Sequence, residues 1–381
     1  MIRFARPVLL LALSAVLGGC SMMPSWLNRS ADKPKPAELG PNIALLQIRP
    51  AWNARIGAIG FPLTVSVNGA AVAVASGDGS VAQIDAASGR ELWRASAGAP
   101  LSAGVGSDGR LVSVITRNNE ILTFAGGAAP AWRQKLTAQA FTAPLVAGGR
   151  VFVMAADRSV SAYDGQSGRR LWNQPRPGEA LVLRQSGVML AVGDTLVVGL
   201  AGRLVGLNPA NGSVRWEAAI ATPRGTNDVE RLVDLVGSVS RVGSSVCARA
   251  FQARVGCVDA ESGSVQWTKP ASGSEGLHGA ERLVFGTESD GKVMAWRRDN
   301  GERAWSSERL QYRSLTAPLA LGRSVVVGDS TGLVHLLSRE DGSPLNRLTT
   351  DGTAIAAAPV LAGNTLVVAT RGGAVFGFVP E

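Results

Sequence analysis

Gly77-Asp78-Gly79-Ser80-Val81-Ala82-Gln83-Ile84-Asp85-Ala86-Ala87-Ser88-Gly89-Arg90-Glu91-Leu92-Trp93 holds the pattern from which most of this chain is built. An Asp-Gly turn opens it, Val81 to Ile84 makes a short apolar run, and Ser88-Gly89 places a glycine four residues before a tryptophan. Dipeptides of this kind suit turns that need φ > 0, so the stretch reads as a strand between two hairpin turns, with Trp93 on the strand that follows.

The pattern recurs along the chain. Ser167-Gly168, Asn211-Gly212, Ser262-Gly263 and Asn300-Gly301 each put Gly four residues ahead of a tryptophan, and Asp164, Asn208 and Asp259 precede the first three glycines by four more. Trp52, Trp93, Trp132, Trp172, Trp216, Trp267 and Trp305 follow one another at intervals of 41, 39, 40, 44, 51 and 38 residues. Asp341-Gly342 keeps the turn but has Leu345 and Asn346 where the tryptophan is due, and Gly126 to Ala129 has lost most of the turn ahead of Trp132.

Two further strands precede each such turn. Val72 to Ala75 and Val81 to Ile84 flank Asp78-Gly79, Val151 to Met154 and Val160 to Tyr163 flank Asp157-Arg158, and Val325 to Val327 and Val334 to Leu337 flank Ser330-Thr331-Gly332. Unbroken apolar runs such as Val325-Val326-Val327 predict strands covered on both faces. Phe61-Pro62, Ala143-Pro144, Ala317-Pro318 and Ala358-Pro359 mark an innermost strand, where proline is tolerated at the first residue or on an edge.

Four short strands per forty residues predict the blade of a β-propeller. Helical repeats of similar period are excluded by the Gly, Val and turn density of every unit. WD40 repeats are disfavoured, since no Trp-Asp pair occurs. Counting third strands gives eight units, and the last stops at Val379-Pro380-Glu381 without a fourth strand. The strand around Trp52 is therefore expected to close the last blade, removing two open sheet edges at once. The prediction is an all-β, eight-bladed propeller over residues 49–381, closed by its N-terminal strand.

The start of the chain has a different character. Arg3 and Arg6 precede a run from Val8 to Leu17 that only Ser14 interrupts. About ten residues cannot cross a ~30 Å hydrocarbon core, so this is a signal peptide and not a membrane span. Leu17-Gly18-Gly19-Cys20 follows and resembles the bacterial lipobox, which implies lipid attachment at Cys20 and removal of residues 1–19. By the same resemblance Ser21, where Asp would favour retention at the inner membrane, lets the protein reach the outer one. Residues 20–48, with Lys33-Pro34-Lys35-Pro36 and Gly40-Pro41, read as a Pro-rich tether.

Composition narrows the function. The formal net charge is +9, which falls to about +7 without the leader's two arginines. The basic residues are scattered, with no arginine-rich run, and a periplasmic address makes nucleic acid an unavailable partner. A solvated basic surface that favours acidic partners or anionic headgroups accounts for the charge. Only His278 and His335 occur, too few for a multi-His metal site, and the 3 cysteines exclude a cysteine-rich zinc module. No phosphate loop or His-Glu-x-x-His is present. Aligning Val246 to Asp259 with Val72 to Asp85 sets Cys247 opposite Cys257 on adjacent strands. That allows a disulfide in an oxidising compartment or leaves two buried thiols.

The repeats resemble those of the PQQ-like (quinoprotein) propeller family, in which the tryptophans pack between blades and need no cofactor. A quinoprotein dehydrogenase is the enzymatic alternative. Such enzymes are longer and cap the propeller with loops bearing metal-binding carboxylates, whereas the loops here are mostly short. A lipidated propeller of eight such blades resembles the BamB family of the β-barrel assembly (BAM) machinery. That resemblance implies a non-catalytic scaffold without cofactor, docked on the periplasmic POTRA domains of BamA, with unfolded β-barrel proteins as further partners. Two segments break the repeat spacing, Pro175 to Gly187 and Thr222 to Val236, and long loops on a rigid frame are where binding residues concentrate. The family uses a Leu-x-Leu-Arg loop with a neighbouring Asp-x-Asp loop to meet BamA. Leu181, Leu183, Arg184 and Asp234 match that pattern, while Val236 stands in place of the second Asp. The leucines are expected to insert into the partner and Arg184 and Asp234 to orient it.

Overall fold

A computed structural model describes residues 34–176, 181–223, 226–227 and 231–381. The leader, Cys20 and the start of the tether lie outside the described residues. The remainder carries thirty-two strands in eight four-stranded antiparallel sheets, the predicted eight-bladed propeller. Blade one shows the plan, with β2 (Ser66–Asn68), β3 (Ala71–Ala75), β4 (Ser80–Asp85) and β5 (Glu91–Ser96) paired in chain order. The second and third strands are buried on both faces, as the unbroken valine runs require. The fourth is half exposed. Pro144, Pro318 and Pro359 each stand directly before the first strand of a blade, where no ladder N–H is lost.

Blade eight closes as expected. β1 (Ile48–Arg55) pairs antiparallel with β32 (Ala374–Pro380), from Ile48 opposite Pro380 to Arg55 opposite Ala374 with a register shift between Pro50 and Trp52, beside β31 (Thr365–Ala369) and β30 (Val360–Ala362). The chain's two ends thus share one sheet, and no blade is left open.

The joints between blades explain the repeat. Asp85 Oδ1 accepts from the N–H and hydroxyl of Ser88, which holds its carboxyl below the ordinary carboxylate range, and the Gly89 N–H closes on Asp85 O at 2.8 Å. Gly89 then takes φ +73° and leaves a flat seat. The ring lying on that seat is Trp52, from the preceding blade of the circle, and its Nε1 donates to Ala86 O at 2.8 Å. The same joint recurs with Trp132 on Gly168, Trp172 on Gly212, Trp216 on Gly263, Trp267 on Gly301 and Trp305 on Gly342. In each, Nε1 donates to a turn carbonyl at 2.7–3.0 Å. Each repeat's Gly and Trp therefore belong to two successive joints.

Two joints lack this staple. Trp93 faces the unit whose turn is degraded, and its Nε1 turns back to Gln83 Oε1 in its own blade. Leu345 replaces the tryptophan of blade seven, and blade eight has no such turn to receive one, because its outer strand comes from the N-terminus. There the described part of the tether does not run free. The Leu45 N–H donates to Leu345 O at 2.7 Å, and Asn346 Nδ2 donates to Leu46 O. Leu46 and Ile48 pack against Leu345, Leu348 and Phe378. Farther back, Arg313 donates from two guanidinium nitrogens to Ala37 O, and Arg347 donates to Gly40 O. Residues 37–47 form a strap over the joint that has no tryptophan.

The staple is separable from backbone strain by two substitutions. Gly98 has φ +72° with open space around it, so Gly98→Ala is expected to cost about 1–2 kcal/mol for its left-handed backbone alone. Gly263 has nearly the same φ, but a Cβ there would stand within 2.6 Å of the Trp216 ring. Gly263→Ala should therefore cost a further ~1–3 kcal/mol, read as the difference in urea unfolding free energy between the two variants.

Candidate partner-binding site

The long segments singled out above leave β13 (Arg170–Gln174) for β14 (Met189–Val192), and β17 (Val214–Ala219) for β18 (Leu235–Val242). They connect blades three to four and four to five, and their described parts meet on one end of the propeller. An isolated bridge pairs Gly187 with Val236, the Gly187 N–H donates to Thr142 Oγ1 at 2.9 Å, and Gln185 Nε2 donates to Ser274 O at 2.6 Å. The base of the first loop is thereby tied to three neighbouring blade connections.

Its tip is held differently. Asp234 Oδ2 accepts the Leu183 N–H at 3.1 Å, and Asp234 Oδ1 pairs with Arg158 Nη1 at 3.1 Å. Arg158 Nη2 in turn donates to Leu181 O at 3.2 Å. Both charged side chains are largely buried, at 8% exposure for Arg158 and 17% for Asp234. The sequence reading aimed Asp234 at the partner together with Arg184. In the structure Asp234 instead faces inward and shapes the loop, with Oδ1 on the Arg158 guanidinium and Oδ2 on the Leu183 amide. Val236 is buried in β18, opposite Arg249 on the adjacent strand.

Arg184 is exposed, with its guanidinium 6.0 Å from the Phe141 ring centroid. Leu181 is 38% exposed, and Leu183 is half-buried beneath it. The structure thus gathers Leu181, Leu183, Arg184 and Asp234 at one place. The residue that sequence reasoning missed is Arg158. Its signal was present in the Asp157-Arg158 turn. Arg158 has φ +65°, in a hairpin position where Gly79, Gly291, Gly332 and Gly373 also hold positive φ, as do Asn119 and, in blade five, Gln252 at +46°.

Beside this loop the axial channel opens into a cavity of about 770 Å³ lined by Arg184, Gln185, Glu275 and Arg371 among others. Burial pushes the Glu275 carboxyl up, against the opposing influence of Arg249 and Arg371. Glu275 is the sole acidic side chain among the described lining residues. A quinone with its calcium ion needs several carboxylate oxygens, so the channel does not fit that pair. The two histidines are held internally. His335 Nε2 bonds Asp329 Oδ2 at 3.0 Å, and His278 Nδ1 accepts the Ala320 N–H at 3.1 Å. Cys247 and Cys257 are register partners on β19 (Ser245–Ala250) and β20 (Arg254–Asp259), fully buried, with their sulfurs joined.

A family profile described as "Outer membrane protein assembly factor BamB" matches residues 77–307. The protein of that name from Bordetella pertussis is 38% identical over 385 residues, covering 98% of both chains. In fold, the chain is similar to the crystal structure of BamB from Moraxella catarrhalis, with a TM-score of 0.80 at 23% identity over 87% of this chain and 99% of that one. A quinohemoprotein alcohol dehydrogenase from Comamonas testosteroni is less similar, with a TM-score of 0.68 at 15% identity over 89% of this chain and 78% of that one. This is an eight-bladed propeller of PQQ-like repeats. Within that class the chain belongs to the BamB family of outer-membrane protein assembly factors.

Two measurements check the site. Asp234→Ala removes the acceptor of the Leu183 N–H, so hydrogen exchange at that amide should accelerate at least about tenfold, as for a lost charged hydrogen bond of ~1.5–3 kcal/mol. Arg158→Ala should produce a similar change while the blade strands keep their protection. For the cysteines, mass spectrometry of denatured, unreduced protein treated with an alkylating agent should show no adduct at Cys247 or Cys257.

Proposed function

We propose that this chain is the non-catalytic scaffold subunit of the outer-membrane β-barrel assembly (BAM) complex. It is anchored by lipid on Cys20, faces the periplasm and assists insertion of β-barrel proteins without changing any bond. Its contact with the periplasmic POTRA domains of BamA is made by Leu181 and Arg184, with Leu183 backing the tip. Asp234 acts through the loop's shape. The observation that carries this reading is an exposed leucine and an exposed arginine on a tip whose backbone is held at two points by a buried ion pair. Pre-ordering the loop reduces the entropy lost on binding, and a large apolar side chain beside a charge gives both an anchor and an orientation. Family membership and the match over nearly the whole chain support it.

Reversal of one exposed charge tests the reading. Arg184 donates to no described group, so Arg184→Glu should leave thermal unfolding within about a degree or two of the parent, as surface changes do. Co-purification with BamA from detergent-solubilised envelopes should fall roughly tenfold or more. Full retention of the complex, or parallel loss of stability and binding, overturns the assignment.

A further inference from the structure

Arg298 is a buried cation without an acid partner among the described residues. It is 7% exposed, and burial pushes its guanidinium down with no opposing influence. Arg249, also buried, pairs by contrast with Glu288 at 2.9 Å. The partners of Arg298 are all neutral: Nε donates to Ala280 O at 2.8 Å, Nη2 to Ser240 Oγ, and Nη1 to Cys247 Sγ at 3.2 Å. Ser240 and Cys247 are register partners in blade five, whereas Arg298 follows β24 (Val293–Arg297) of blade six, and its own O accepts Trp267 Nε1 at 2.7 Å. One side chain therefore grips blade five from blade six, beside the tryptophan of that joint. A buried guanidinium lacking a counter-charge is costly, so a neighbour able to become an anion is favoured to do so.

Cys247 is such a neighbour. It is joined to Cys257, and both sulfurs lie among Trp267, Leu277 and Trp296. Apolar surroundings alone raise a thiol's pKa, whereas an adjacent arginine lowers it. Arg298 bonds Cys247 and not Cys257, so the two sulfurs of an opened bridge are unequal: Cys247 gains a cation and Cys257 keeps only apolar neighbours. The bridge also constrains little. Its cysteines are 10 residues apart and stand opposite each other in a hairpin that the β19–β20 ladder already closes. A short loop of this kind gains less from cross-linking than a long one, so opening the bridge leaves the fold its other supports.

We propose that Cys247 and Cys257 form a reducible pair poised by Arg298, which a dithiol reductant opens in the folded protein to a Cys247 thiolate paired with Arg298 and a neutral Cys257 thiol. The S–S bond breaks, and the reductant's two thiols close to its own disulfide, supplying two electrons and two protons. One proton goes to Cys257 and the other to solvent. Local opening of the hairpin admits the reductant, and the equilibrium is independent of that route. Reduction exchanges a covalent tie within blade five for an ion pair between blades five and six. The state of the pair thus sets how firmly those two blades hold together at the joint that Trp267 staples.

A redox equilibrium followed against pH tests this. The full-length protein is equilibrated from both sides with mixtures of reduced and oxidised dithiothreitol between about pH 6.5 and 8, where ordinary thiols stay largely protonated. Samples are quenched in acid, unfolded and alkylated, and adducts at Cys247 and Cys257 are counted by peptide mass spectrometry. Because one proton is released, the reduction constant of the parent should rise about tenfold per pH unit. In Arg298→Met both thiols stay protonated, so its constant should hold within about twofold across the range and fall at least about tenfold below the parent's at the upper end. Arg298→Lys keeps the charge and should keep the pH dependence. Near-ultraviolet circular dichroism of the tryptophans should survive reduction of the parent. A parent constant that does not vary with pH overturns the proposal whether or not the variants fold, and so does equal pH dependence in the parent and Arg298→Met. Loss of the tryptophan signal on reduction also overturns it, because the bridge is then a brace the fold requires.

Discussion

The propeller depends on a single repeated contact, a tryptophan lying flat on a left-handed glycine of the next blade while its indole N–H reaches the turn carbonyl beside it. Neither half works alone. Gly263 must lack a side chain because the Trp216 ring occupies the space, and it can hold φ +75° because it has none. The Asp-Ser-Gly turn makes the seat, the ring buries apolar area between sheets, and the Nε1 bond removes what would be an unsatisfied buried donor. Since each repeat's glycine serves the blade before and its tryptophan the blade after, repeats of this kind are stable as a closed ring and leave a stub at each end. Trp52 supplies the missing tryptophan of blade eight, which is why the N-terminal strand and not merely the C-terminal one must complete that sheet.

The same logic locates the strap. At Leu345 the ring contact is absent, and the chain compensates with the residues that precede β1. Arg313 links this region to the core, because its guanidinium pairs with buried Asp329 at 3.0 Å and also holds Ala37 O. Burial alone would push the Asp329 carboxyl up. Hydrogen bonds from His335, the Leu333 N–H and Thr331 outweigh it and hold the carboxyl well below the usual carboxylate range. A folded pKa lowered in this way gives stability that is complete above the ordinary Asp value and is lost only as pH falls through the folded one. Asp329 thus stays charged beside Arg313 at any pH near neutrality.

The periodic parts of this structure were legible because they are local. Turn dipeptides, apolar runs and tryptophan spacing each report on a few neighbouring residues, and together they yielded blade count, strand order and closure by the strand around Trp52. The opposition of Cys247 and Cys257 could be read for the same reason, as hairpin register follows from symmetry about Phe251 to Ala253. What escaped were contacts between segments distant in sequence. Ala37 and Arg313, or Arg158 and Asp234, stand 276 and 76 positions apart in the chain. Nothing local announces such pairs. Asp234 was read as facing a partner and pairs with Arg158, since a charge pattern shows which groups are present and not which way they face.

Arg158 shows how a rigid wheel acquires an ordered loop. A non-glycine residue in the left-handed region costs about 1–2 kcal/mol, and a buried charged hydrogen bond contributes about 1.5–3 kcal/mol. The two are close in size, so the bonds of its side chain to Asp234 and Leu181 O offset the cost of the turn. Replacing Arg158 by glycine would relax the turn and release the loop together. The loop's order is thereby drawn from the hairpin of blade three, although the loop itself leads into blade four. A tip held by a neighbouring blade cannot move independently of the ring, so the exposed Leu181 and Arg184 are presented at a fixed angle to the axis. Arg158, Asp234 and the Leu183 N–H fix the tip, and Arg184, which makes no described hydrogen bond, stands exposed over the Phe141 ring.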